Sequence, residues 1–257
     1  MAISLDEIKK LKELTGVGLT DAKKALVEAE GDFDKALAAM REKGLTKAEK
    51  RGDSHIINLE KTVEQLEKAL PFITDAVSHG RQVLFVGTKK QARDIVVTAA
   101  TAAGQPYVAE RWLGGMLTNS ATIQSQIKKL KLLEKRMATG ELGNRYNKLE
   151  VQRFQEEIDA LNVKYGGIKD LKGRPGVLFA VDGKGDRGAV DEAIKLGVPV
   201  VAICDTNADP TGIAYPIPAN DDALASLQVI ADYVVAAVKA GESVAAKKSD
   251  DATKEDK

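Results

Sequence analysis

Arg111-Trp112-Leu113-Gly114-Gly115-Met116-Leu117-Thr118-Asn119 joins the single tryptophan of the 257-residue chain to a guanidinium, a glycine pair and a Thr/Asn cluster able to start a helix. A flat ring for stacking, a planar cation and glycines that permit close backbone approach suit a loop that meets a nucleic-acid backbone. The same residues also suit a structural turn with Trp112 held in a core, the usual place for an isolated tryptophan. From the residues alone both roles stay open.

Gly183-Lys184-Gly185-Asp186-Arg187-Gly188 has the spacing of a dinucleotide-binding turn, and Asp205 stands roughly where a ribose-binding acid belongs. A dinucleotide enzyme is therefore one reading. Against it, Lys184 and Asp186 set charged side chains where such a turn meets pyrophosphate, and the unit comes late in the chain. Gly87-Thr88-Lys89-Lys90 can offer backbone N–H groups and lysines to a phosphate at a helix N-terminus, without the full spacing of a P-loop. His55 and His79 have no cysteine or histidine at ligand spacing, so no zinc site is expected. Cys204 is the sole cysteine, lies in an apolar run and reads as a core thiol. No nucleophile–base–acid set assembles, so the expectation is a nonenzyme with no catalytic residue, cofactor, metal or small-molecule substrate.

Charge sharpens the first possibility. The net charge is zero, yet residues 81–153 carry 13 basic side chains against 5 acidic, while residues 154–257 carry 12 against 18. A basic block in a neutral chain points to a localised polyanion-binding surface. Lys89, Lys90, Arg111, Trp112, Lys128, Lys129, Lys131, Lys135 and Arg136 are the candidate RNA contacts. The chain starts without a charged-then-apolar leader, and no apolar run approaches the roughly 18 residues of a membrane span. A cytoplasmic protein without a membrane partner is expected.

The elements that position these residues follow from periodicity. Leu59, Val63, Leu66, Leu70, Ile73 and Val77 define a long amphipathic helix that Pro71 can kink or split. Gln82–Val86 reads as a strand, followed by a helix with Ala92, Val96, Ala99 and Ala103 inward, then a short strand over Pro106–Val108. The pattern resumes with a strand over Val177–Val181, a helix over Ala189–Leu196, a strand over Val198–Cys204 and a long helix over Asp222–Ala240. Alternating strands and helices predict an α/β fold, a parallel sheet with helices on both faces. Between the halves, Ile123, Ile127, Leu130 and Met137 form one helical stripe. Leu142, Tyr146, Leu149, Phe154, Ile158 and Leu161 form the returning one. The pair predicts an antiparallel helical hairpin at about 119–165, with a turn at Gly140–Gly143. Asp205–Asp222 reads as a rigid loop at the carboxyl edge of the sheet, with Asn220-Asp221 able to cap the last helix. Residues 241–257 are polar and charged and are expected to be disordered.

The first 45 residues differ in character. Ser4-Leu5-Asp6-Glu7 is a capping box, Thr20 caps a second helical pattern, and Gly31-Asp32 precedes a third. A small three-helix bundle is expected over 1–45, followed by a polar linker over 46–54. Thr15-Gly16-Val17-Gly18-Leu19-Thr20-Asp21-Ala22-Lys23-Lys24-Ala25-Leu26, with Glu30-Gly31-Asp32 and Leu37–Leu45, resembles the start of elongation factor Ts. That resemblance implies a docking domain for elongation factor Tu, with Thr15, Gly16, Val17, Gly18, Leu19 and Lys23 at the contact. The Thr-Asp-Phe/Val motif of that family is absent, so the resemblance covers the docking domain and not the complete exchange machinery.

A second resemblance covers about 185 residues. His55-Ile56-Ile57-Asn58-Leu59-Glu60-Lys61-Thr62, Val83–Ala92, Arg111–Asn119, Gly167-Ile168-Lys169-Asp170 and Asp205–Asp222, in that order, are similar to bacterial ribosomal protein S-two. The resemblance implies a flavodoxin-like sheet carrying a helical hairpin. It also implies a structural constituent of the small ribosomal subunit that contacts ribosomal RNA and neighbouring ribosomal proteins. In that family the helix start at Gly183–Gly188 has no nucleotide role. Ahead of His55 the family has a Gly-Val-His-Phe-Gly-His run and a Trp-Asn-Pro motif, which the elongation-factor-like segment replaces here. RNA contacts of that segment do not carry over. The alternative function is an elongation factor Ts-like protein that docks on elongation factor Tu and assists guanine-nucleotide exchange.

Overall fold

Val83–Val86 (β3) and Val177–Ala180 (β5) are buried at every position, as expected of central strands covered on both faces. Val83 and Phe85 face one layer while Leu84 and Val86 face the other, the two-residue alternation of a strand. They form the middle of a five-stranded, wholly parallel sheet with Tyr107–Val108 (β4), Val200–Cys204 (β6) and Tyr215–Pro218 (β7), in the order β4-β3-β5-β6-β7. The computed structural model describes Lys23, Leu26, Val27, Ala29, Lys35, Glu49–Arg51 and residues 54–255. The α/β class read from the sequence is the architecture found.

One face of the sheet is covered by α1 (Leu59–Ser78), α2 (Arg93–Ala102) and α7 (Leu224–Glu255). Ile73, Val96, Leu227, Ile230 and Val234 meet Phe85 and Phe179 there, whose rings stand edge to face at 5.4 Å. The other face is covered by α6 (Arg187–Lys195), by Met116 and Leu117, and by the first turns of α3 (Ser120–Ala138). From there α3 runs outward. It turns through α4 (Glu141–Arg145) and returns as α5 (Lys148–Tyr165), ending in a 3-10 turn at Gly166–Ile168.

Several expectations need correction. The apolar row of α1 departs from the one read at its first turns: Leu59 and Val63 are exposed, while Leu66 and Leu70 pack against the core and Ile73 and Val77 are buried, joined inside by Thr62, Gln65, Ala69 and Ala76. Thr62 belongs inside because its hydroxyl donates to the Pro218 carbonyl at 2.5 Å. Pro71 lies inside this helix without splitting it. A fifth strand, β7, sits within the stretch read as loop; its two prolines are tolerated because it is an edge strand. The stretch read as a linker contains β1 (Glu49–Arg51) paired antiparallel with β2 (Ser54–Ile56). Leu149, placed on the apolar stripe of the hairpin, is exposed. Residues 241–255 continue α7 instead of being disordered: they contain no proline, include Ala245, Ala246 and Ala252, and extend a helix already anchored in the core. Leu224–Lys247 is also long and apolar enough for a membrane span by length and composition, which the sequence reading overlooked. Its Leu227, Ile230, Val234 and Val238 lie in the core instead.

Lys23 is helical and exposed and Leu26 is buried. Thr15, Gly16, Val17, Gly18 and Leu19 lie outside the described residues, as does most of the expected bundle.

Candidate nucleic-acid interface

The loop that follows β4 is wound around a single carboxylate. Glu192 projects from α6 with its side chain buried, and its two oxygens accept five hydrogen bonds. Oε1 accepts from Trp112 Nε1 at 3.0 Å and from the Gly115 amide at 2.7 Å. Oε2 accepts from the Leu117 and Thr118 amides at 3.0 and 3.1 Å, and from Thr118 Oγ1 at 3.1 Å. Burial by itself raises the Glu192 pKa. The bonds from Trp112 and the three amides outweigh it and hold the carboxyl below its ordinary range. Gly115 has φ +86°, a backbone region that glycine enters at little cost, which lets the loop close on the carboxylate. Met116 and Leu117 are buried beneath it. Trp112 is half-buried against the same cluster, so the loop uses its ring and N–H as a brace. Arg111 is exposed, with no carboxylate in ion-pair range among the described residues.

The hairpin is pinned to the body. Glu134 accepts from Lys169 Nζ at 2.6 Å and from Asn162 Nδ2 at 2.9 Å. A Cβ at Gly167 would lie 2.3 Å from the Tyr107 carbonyl, so the returning chain must pass β4 as glycine. Leu130, Leu133 and Ile158 seal the two long helices together. Asn147 and Glu150 form a reciprocal capping box that starts α5.

Its basic side chains fall into two groups. Lys129 pairs with Glu157, Lys131 with Asp170 at 3.1 Å and Arg136 with Glu141 at 2.8 Å. Such surface pairs are screened by solvent and contribute little to stability. Lys128, Lys135, Arg145, Lys148, Arg153 and Lys164 are exposed with no carboxylate in ion-pair range among the described residues. Lys128, Lys131 and Lys135 lie at i, i+3 and i+7 and share one face of α3.

Lys89 does something different from what was expected of it. Its ammonium sits 2.7 Å from both Asp221 and Asp222 at the carboxyl edge of the sheet, and Asp221 is buried. Burial favours the neutral amine, but the two carboxylates hold the Lys89 pKa above its ordinary value. The expected phosphate role of Lys89 thus competes with two acids of the protein itself. Lys90 points outward and is exposed.

The dinucleotide-like turn is likewise occupied by the protein's own acids. Asp182 Oδ1 accepts from the Lys184 and Gly185 amides at 2.9 and 2.7 Å, two of the N–H groups a pyrophosphate would need. Asp186 is buried, and its Oδ1 accepts from Thr88 Oγ1 at 2.8 Å. Burial pushes its pKa up to about 6; the Thr88 bond opposes this and the Asp182 charge adds to it. Asp205, Asp221 and Asp222 bring carboxylate oxygens within 4.8 Å of one another beside Lys89. An edge this acidic repels phosphate.

Glu192 is the residue that sequence reasoning missed. The available signal was an acid at an inward position of α6, between Ala189, Val190 and Ala193, all buried.

Comparison with known proteins identifies the family. A family profile described as Ribosomal protein S2 matches residues 47–241. A small ribosomal subunit protein uS2 of Bifidobacterium longum is 46% identical over 191 residues, covering 74% of this chain and 68% of the relative. One from Roseiflexus is 47% identical over 193 residues, 75% and 73% of the two chains. One from Xanthobacter autotrophicus is 47% identical over 187 residues, 73% of this chain and 56% of the relative. With a parallel sheet, an inserted hairpin and a matched profile over three quarters of its length, the chain belongs to the ribosomal protein S2 family.

Proposed function

We propose that this chain is a noncatalytic constituent of the small ribosomal subunit, located with it in the cytoplasm, that holds ribosomal RNA against its helical hairpin. The observation that carries the RNA contact is the set Arg111, Lys128, Lys135, Arg145, Lys148 and Arg153. All are exposed, and none is paired with a carboxylate among the described residues. The sheet edge, where folds of this kind bind small ligands, is instead filled by Lys89 and its acids. Trp112 and Glu192 fix the loop, and Arg111 with the free lysines neutralises phosphates, which positions RNA without reading its sequence. Lys129, Lys131 and Arg136 join this surface by exchanging their weak partners for phosphate. Neighbouring ribosomal proteins complete the environment.

The test is binding of protein-free small-subunit ribosomal RNA to the full chain across a salt series. Replacing Lys128, Lys135 and Arg145 by Glu is expected to weaken binding and flatten the salt dependence, by roughly 0.7–0.9 in log–log slope per lost phosphate contact. Unchanged binding contradicts the hairpin's role.

A second, separable role is docking on elongation factor Tu through residues 1–45, supported by the run Thr15–Leu26 that resembles elongation factor Ts. The full chain is expected to retain elongation factor Tu on an affinity column. A Val17→Asp, Leu19→Asp variant is expected to lose it. Equal retention by both contradicts this role.

A further inference from the structure

Glu192 combines three properties seldom found together. It is buried, it has no cation partner among the described residues, and it accepts five hydrogen bonds from one loop. A carboxylate offers about four lone-pair sites, so this one is saturated. All five donors lie between Trp112 and Thr118. Arg111 precedes this stretch directly, and α3 begins at Ser120, just after it. The carboxylate thus fixes the stem from which both Arg111 and the basic hairpin project. We infer that Glu192 is the positioning residue of the RNA-contacting surface, holding the Trp112–Thr118 loop so that Arg111 meets a phosphate. This inference rests on the RNA-binding reading above. Glu192 itself touches no RNA; it acts through the loop.

Glutamine has nearly the same shape but cannot do this. Its carbonyl can accept on one side, while its NH2 group would confront N–H donors on the other. The Glu192→Gln variant therefore isolates the charge and acceptor count from the volume.

The experiment measures binding of protein-free small-subunit ribosomal RNA to the full chain as a function of salt for wild type, Arg111→Ala, Glu192→Gln and the double variant. Loss of the Arg111 contact is expected to weaken binding roughly five- to eightfold near 0.1 M salt and to lower the log–log slope by about 0.7–0.9. Glu192→Gln is expected to produce the same loss with Arg111 still present, and the double variant no more than either alone. The sole tryptophan should become more accessible to acrylamide in Glu192→Gln while far-ultraviolet circular dichroism stays constant. A merely structural role would leave slope and coupling untouched. Full affinity and slope in Glu192→Gln, with Arg111→Ala impaired, overturns the inference and leaves the RNA reading standing. Wild-type binding by Arg111→Ala, with the hairpin charge reversals impaired, also overturns it. If neither Arg111→Ala nor the charge reversals weaken binding, the RNA reading fails as well. Should Glu192→Gln not fold, Trp112→Phe keeps an aromatic ring, though a smaller one, and removes one donor. Its expected loss is severalfold and vanishes in the Arg111→Ala background; additive losses contradict the inference.

Discussion

Lys89 and Asp221 stand 132 residues apart in sequence and 2.7 Å apart in space, joining the segment after β3 to the segment after β7 across the carboxyl edge of the sheet. The pair closes the cleft in which parallel sheets usually hold a ligand.

Lys89→Ala is expected to affect stability and not RNA binding. Removing the ammonium leaves the buried Asp221 carboxylate beside Asp222 and Asp205 without its cation. The cost is about 2 kcal/mol, that of a lost hydrogen bond to a charged group. Urea denaturation should show the lower midpoint while the salt slope for RNA stays at the wild-type value. A reduced slope would return Lys89 to the phosphate-binding set.

Asp186 gives the fold a defined pH dependence. Its folded-state pKa of about 6 lies above the ordinary 3.8, so the folded chain holds the proton more tightly than the unfolded chain. Stability is therefore present at low pH, falls as pH rises from about 4 to about 6, and levels off beyond; the total is at most about 3 kcal/mol. Asp186→Asn keeps an acceptor for Thr88 and removes the charge whose second oxygen has no partner. The variant is expected to be about 1–2 kcal/mol more stable than wild type at neutral pH, with the advantage growing through the same window. A stability difference constant across that window contradicts the assignment.

The structure permits no side chain at Gly167. Its Cβ would lie 2.7 Å from the Tyr107 ring and 2.3 Å from the Tyr107 carbonyl, which cannot move without displacing β4. Gly167→Ala is expected to cost about 1–3 kcal/mol by overpacking. RNA affinity should fall with it, because the displaced segment sets the base of the hairpin. A thermal midpoint equal to wild type would contradict this packing.

The sheet, its two covered faces and the hairpin were legible because each depends on short-range periodicity. Ile123, Ile127 and Leu130 are one example, and Val83–Val86 another. Strand β7 was not, since Pro216 and Pro218 read as loop formers and only the edge position excuses them. The burial of Thr62 at the start of α1 goes with one long-range bond, to Pro218, that no local pattern announces. The candidate site was half legible. Arg111, Lys128 and Lys135 follow from charge and exposure. The neutralisation of Lys89 and the part played by Glu192 arise from partners 132 and about 75–80 residues away.

Cys204 should be inert in the folded chain. It is buried in β6, and burial pushes its pKa up to about 12, so almost no thiolate forms near neutral pH. A disulfide-exchange reagent is expected to modify it only after denaturant is added. Rapid modification of the native protein would contradict its placement in the core.

The central claim, that the chain is a constituent of the small ribosomal subunit held by its RNA, is tested most directly by sedimentation of cell lysate through sucrose gradients. The account predicts that the full chain migrates with small subunits at low salt. It further predicts that the Lys128→Glu, Lys135→Glu, Arg145→Glu variant shifts toward the top of the gradient. A wild-type chain found only at the top of the gradient, free of subunits, would contradict the claim.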